Sequence, residues 1–138
     1  MTTNEAPAAT LTVKQYAAAY NFSLATAYRK MHARKVWGLA RKELRGTRRV
    51  WVVLLSMAEV RALKAALVDR DRRAGRQIKE LGTKFGFAAD LSAPRALRDS
   101  ARDSLVAIGA GDLIIALDAA RISPKREHFA RIDRLIAA

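Results

Sequence analysis

The sequence predicts a mostly α-helical protein carrying one β-hairpin, and three observations lead there. Capping boxes stand at Thr12 with Gln15 and at Ser56 with Glu59, each announcing a helix. Apolar residues then recur at three- and four-residue spacing through most of the chain. One stretch, residues 36–55, is instead rich in β-formers around a turn that contains Gly46. With 138 residues and 51% hydrophobic content, the chain can bury a real core as one domain or two small ones.

Residues 1–10 are small and polar, contain Pro7 and show no periodicity, so they are expected to form a disordered tail. The first helix starts at Thr12, with Val13, Ala17 and Tyr20 on one face and Tyr16 beside them. The small Ala17, Ala18 and Ala19 let a second helix approach closely. Asn21-Phe22-Ser23 interrupts the helix: Asn tolerates a left-handed helix exit, Phe22 turns into the core and Ser23 caps the next helix. Helices joined by so short a link cross steeply. The second helix is expected to run to about Ala33, with Leu24, Ala27 and Met31 inward and Ala25, Arg29 and Ala33 outward, flanked by Thr26 and His32.

Residues 36–40 and 48–55 read as two strands around a flexible turn at 42–47, with Arg41, Lys42, Arg45, Arg48 and Arg49 near the tip. Trp37 and Trp51 are read as core aromatics that close a small domain, in preference to base-stacking platforms. Two helices, a tight turn and a basic hairpin make an N-terminal winged helix-turn-helix over residues 11–68.

Ser56 opens a longer helix whose seam is Met57, Val60, Leu63 and Leu67. The seam fades into the mixed charge run 69–76, and Gly82 and Gly86 break the pattern, so residues 69–90 are expected to be a charged linker helix or loop. The run reads as a solvated surface, with a DNA-backbone contact as the sharper alternative. Residues 91–138 form a small helical domain. Pro94 lies near the start of a helix with Leu97, Ala101, Leu105 and Ile108 at helical spacing, and Gly109-Ala110-Gly111 ends it. Residues 113–117 are apolar almost all round, which suits a central buried helix or half of a dimer interface. Ser123 and Pro124 supply an N-cap and a first-turn proline for a final helix with Phe129, Ile132 and Ile136 inward.

Charge and composition narrow the function. The chain has no cysteine, two histidines and a formal net charge of +13. There is no thiolate metal site or thiol nucleophile, and no catalytic residue, metal site, cofactor or small-molecule ligand is expected. Asp99 and Asp103 share a helical face, but carboxylates so spaced among arginines read as surface ion-pair partners, and His128 reads as a helix-surface residue. No apolar run reaches the roughly 18 residues of a membrane span, and the N-terminus lacks the pattern of a secretory signal. A cytoplasmic, nucleoid-associated protein of a bacterial host cell is therefore expected, with no membrane partner.

The positive charge is uneven. Residues 1–55 hold ten Lys/Arg against two Glu, residues 56–82 seven against four, and residues 83–138 nine against seven. An excess concentrated on one module is the footprint of a polyanion binder, because each phosphate neutralised releases a condensed counterion. Double-stranded DNA is the expected partner. A guanidinium at Arg29 suits a two-pronged contact to a guanine edge, with Ser23, Thr26 and Lys30 beside it for phosphates or neighbouring bases.

Several pieces also resemble one family. LTVKQYAAAYNFS in the first helix and turn, S-x-x-T-A-Y-R in the second helix, the basic Gly46-Thr47-Arg48-Arg49 segment and MAEVRAL after it resemble the MerR-like, excisionase-type winged helix-turn-helix proteins. The resemblance covers residues 11–67. It implies that Ser23, Thr26, Arg29 and Lys30 face DNA from a recognition helix, and that Arg45, Arg48 and Arg49 do so from the wing. A sequence-specific transcriptional repressor of phage or bacterial type, acting by operator occupancy, is the expected function. Within the same family the alternative is an excisionase or a phage terminase small subunit. The C-terminal helices are expected to form a homodimer, or else a second DNA-binding unit with Lys125, Arg126, Arg131 and Arg134 as its basic residues.

Overall fold

The computed structural model describes residues 6–138. They form a mostly helical chain with one small antiparallel sheet. The elements run β1 (Ala9–Thr12), α1 (Val13–Tyr20), α2 (Leu24–Lys35), β2 (Ala40–Arg45), β3 (Arg48–Leu55), α3 (Met57–Phe85), α4 (Ser92–Ala107), α5 (Gly111–Ile122) and α6 (Arg126–Ala137), with a 3-10 turn at Gly86–Ala88. Among the described residues, no helix is long and apolar enough to cross a membrane. Two compact units emerge: the first takes residues up to Leu63 with Ala107–Gly109, the second Lys64–Val106 and Ala110–Ala138.

In the first unit, β3 is the central strand, with β1 on one edge and β2 on the other. Its apolar half, Val52, Val53, Leu54 and Leu55, is buried, as expected of a strand covered on both faces. Thr12 ends β1 and caps α1: its hydroxyl accepts the Gln15 N–H at 3.2 Å, and its own N–H donates to Gln15 Oε1 at 2.9 Å. The exit from α1 follows the expected chemistry. Asn21 adopts φ 57°, and the N–H groups of Asn21 and Phe22 both donate to the Ala17 carbonyl. Phe22 folds back against Tyr16 and Tyr20, with centroids 5.6 Å from each. Ser23 then caps α2 by accepting the Thr26 N–H at 3.2 Å.

Arg34 locks the far end of α2. Its guanidinium donates to both carboxylate oxygens of Glu59, at 3.0 and 3.1 Å, and to the Leu54 carbonyl. Glu59 also closes the capping box that starts α3, accepting the Ser56 N–H at 3.1 Å. Burial pushes the Glu59 carboxyl upward, but the bonds from Arg34 and Ser56 outweigh it and hold the group below its ordinary value.

In the second unit the buried residues are Leu67, Val68, Asp71 and Ala74 of α3, Pro94, Ala101, Ser104 and Leu105 of α4, Ala110 just before α5, Leu113, Ala116, Leu117 and Ala120 of α5, and Ile132 of α6. Arg102 joins three helices, donating to Asp71 at 3.1 Å and to Asp118 at 2.7 Å. The Arg102 bond holds the Asp118 carboxyl below its ordinary value. Lys64 donates to the carbonyls of Leu135 and Ala138, satisfying acceptors at the open end of α6.

Several expectations need correction. The tail predicted for residues 1–10 gives way at Ala9 and Thr10, which are in strand β1; residues 1–5 of that prediction lie outside the described residues. The first hairpin strand is residues 40–45, because residues 36–38 complete the exit from α2. Gly38 has φ 68°, and the Leu39 N–H reaches back to the Arg34 carbonyl, so this glycine stops a helix. The expected flexible turn at 42–47 is a two-residue turn, Gly46-Thr47, between the paired Arg45 and Arg48. Gly46 has φ 66° while Thr47 has negative φ, the pattern of a type II′ turn. Trp37 is not core: it is 73% exposed, and Trp51 is only partly covered. Leu24 is 47% exposed because only Ala27 and Met31 of its expected face reach the core.

Farther along, the charge run at 69–76 is uninterrupted helix with Asp71 and Ala74 buried, and Gly82 is tolerated within α3. Gly86, at φ 58°, follows its end. Ser123 is the C-cap of α5 and does not cap α6. The Lys125 N–H bonds the Ser123 carbonyl at 2.8 Å, which makes Pro124 the centre of a three-residue turn and delays α6 to Arg126.

Candidate nucleic-acid interface

Helix α2 buries only Ala27 and Met31, so most of its circumference is free. Leu24, Ala25, Tyr28, Arg29, Lys30, His32, Ala33 and Lys35 are all exposed. Ser23 and Thr26 are occupied in the cap: the Ser23 hydroxyl donates to Thr26 Oγ1 at 2.9 Å, and Arg29 donates to the same oxygen at 3.4 Å. That long bond uses one of the five guanidinium N–H groups and tethers Arg29 without consuming it. Lys30 sits over the Phe22 ring, 5.0 Å from its centroid, at the start of the helix.

The hairpin register divides the predicted basic residues. Residues directly opposite on antiparallel strands share a face, and successive residues alternate. Lys42 faces Trp51 and Leu44 faces Arg49, so these four share one face. Arg45 faces Arg48 and Glu43 faces Val50, so Arg41, Glu43, Arg45 and Arg48 share the other. On that second face Glu43 binds Arg41 at 2.9 Å and lies 3.6 Å from Arg45, which partly neutralises both.

The first face continues onto α2 through Trp51. The Lys35 ammonium lies 4.1 Å from the Trp51 centroid and the Lys42 ammonium 5.5 Å from it, with the His32 ring edge-on at 6.5 Å. Lys35 Nζ is also 3.2 Å from His32 Nδ1. An indole face attracts cations through its quadrupole, so Trp51 gathers two ammonium groups whose charges would otherwise repel. The hairpin part of this face contains no carboxylate: Lys42 and Arg49 extend the positive surface of α2, where Lys35 continues it.

Of the predicted site residues, Arg29, Lys30, Lys42 and Arg49 therefore fall on α2 or on the hairpin face joined to it. Ser23 and Thr26 hold the helix start, while Arg41, Arg45 and Arg48 lie on the opposite hairpin face. The sequence reading missed Lys35, because α2 was expected to end at Ala33, and Trp51, because it was assigned to the core. A signal existed for both: Gly38 is a helix-stopping glycine, and Trp51 stands two residues after Arg49, on the same face of an extended strand. Lys125, Arg126, Arg131 and Arg134 are all exposed at or along α6 in the second unit. No protein-family model, curated protein or solved structure matches this chain.

Proposed function

We propose that the chain is a sequence-specific double-stranded DNA-binding protein whose first unit is a winged helix-turn-helix of the MerR-like, excisionase type, and that it represses transcription by occupying an operator. The observation that carries this reading is the carboxylate-free cationic hairpin face joined to an open helix. Helix α2 enters the major groove, where Arg29 takes a guanine edge through two N–H groups and the Ala25 and Ala33 methyls allow close approach. Lys35, Lys42 and Arg49 take phosphates, fixing the orientation of the helix without reading sequence. Trp51 holds the two lysines together, so they meet the backbone as one preorganised unit.

Selection of bound duplexes from random DNA tests the proposal, followed by titration of the selected site and a scrambled one across salt concentration. A defined motif is expected, with affinity falling steeply as salt rises. Equal affinity for selected and scrambled duplexes would sink sequence-specific reading. Weak binding without salt dependence would sink the nucleic-acid reading altogether. The length and symmetry of the motif also report whether one copy or two occupy the operator.

A further inference from the structure

The second unit carries a surface that DNA reading by α2 does not use. Helices α5 and α6 pack against each other as a helical hairpin, and a cleft of about 280 Å³ opens along one flank of the pair. Its α5 side presents Ile115 and Ala119; its α6 side presents Glu127, His128, Arg131 and Arg134. Ile115, Ala119 and Ile122 stand at helical i, i+4 and i+7 positions, and the two isoleucines are 67% and 80% exposed. On α6, Glu127, Arg131 and Arg134 repeat the same spacing. An apolar stripe therefore runs beside a basic one. Among the described residues, neither Arg131 nor Arg134 has a carboxylate partner, and Glu127 lies nearest His128, at 3.9 Å.

We infer that this groove is a docking site for an acidic amphipathic helix of a partner protein. Such a helix lays Leu or Phe side chains on Ile115, Ala119 and Ile122 while its carboxylates take the forked N–H groups of Arg131 and Arg134. Charge complementarity selects this occupant. A second copy docked here about a two-fold axis offers the two arginines of each groove a single carboxylate, Glu127, and adds a second charge of +13 to the first. Duplex DNA satisfies the arginines but leaves the isoleucine stripe without an apolar counterpart. Joined to the proposed operator binding, the groove makes the protein a recruiter as well as an obstacle, although the docking argument stands without that reading.

A phage-displayed library of random linear peptides is selected against the immobilised full-length protein, and the enriched peptides are measured by fluorescence anisotropy. Expected are peptides that interleave Asp or Glu with large apolar residues at helical spacing. Their affinity should fall at least tenfold in the Arg131→Glu/Arg134→Glu double variant. It should fall comparably in Ile115→Asn, which leaves the net charge untouched, and should be unchanged in Arg49→Glu. Circular dichroism checks that each variant is folded, which the exposure of all four positions favours. Any of these outcomes overturns the inference: no acidic amphipathic peptide is enriched; the peptides ignore Ile115→Asn; they are lost with Arg49→Glu instead; or the double variant loses affinity for duplex DNA while keeping the peptide. Sedimentation showing self-association that Ile115→Asn abolishes would assign the groove to a second copy and equally overturn it.

Discussion

Arg102 in the second unit and Arg49 in the first are both arginines on regular secondary structure, yet their surroundings set them to opposite work. Arg102 stands between Asp71 and Asp118, with 22% of its side chain exposed, and its charge is matched inside the fold. Arg49 stands on a hairpin face whose other polar member is Lys42, and its charge is directed outward. Arg34 shows that the division is local, since it lies in the first unit but is bound to Glu59 and the Leu54 carbonyl. A net charge thus says how much cation a chain has. Only pairing and register say how much of it a polyanion can meet.

The contrast can be broken first at Arg102. Arg102→Ala should strand the buried Asp71 carboxylate and cost about 3 kcal/mol in urea unfolding, while DNA affinity per folded molecule stays unchanged. Adding Asp71→Leu should recover much of that loss, because an apolar pair of suitable volume can replace a buried ion pair. Arg34→Ala should cost about 2 kcal/mol, since it removes charge-assisted hydrogen bonds at a partly buried site. Its salt slope for DNA should match the parent's; a reduced slope would move Arg34 into the interface.

Smaller effects sharpen the outward set. Arg29→Ala should cost roughly 1–3 kcal/mol on the selected site and relax discrimination at one base pair. Equal losses on selected and scrambled DNA would show that α2 is not the reader. Arg49→Ala should weaken all duplexes alike and lower the salt slope by about one, whereas Arg41→Ala, beside Glu43, should change it less. The same comparison with Arg48→Ala decides whether the second hairpin face also meets phosphate.

Acid titration gives the smallest and most gradual effect. Glu59 and Asp118 both have depressed carboxyl values, so their contribution to stability is complete above the ordinary carboxylate range. It is lost as pH falls through the depressed values, below about pH 4. Melting temperature measured against pH should decline there, and Glu59→Gln, which cannot titrate, should flatten part of the decline.

Helix starts were largely written in the sequence, because caps are local chemistry. Thr12, Ser23 and Ser56 each accept the N–H predicted for them. Helix ends and strand pairing were less legible. Residues 36–39 have high β propensity, yet Gly38 was needed to stop α2. The actual strand β2, ARKELR, contains poor β-formers and owes its conformation to pairing with β3. Charge alone marked Arg41, Lys42, Arg45, Arg48 and Arg49 as a set. Their division into two faces depends on a two-residue turn, and a register shift of one residue would exchange the faces. The tryptophans failed for a related reason: large apolar residues usually close a core, but β3 already fills it with Val52, Val53, Leu54 and Leu55.

Strand β1 is short and easily discarded when a chain is trimmed to its recognisable motif, yet it guards the outer side of β3. A shortened chain starting at Val13 would lose the cap of α1 and lay bare the backbone N–H and C=O groups that Ala9–Thr12 now occupies along Val52–Leu55. An uncovered apolar edge is a template for another copy of itself. Protease clipping just before α1 should therefore make the protein more prone to aggregate before it removes any residue of the proposed reader.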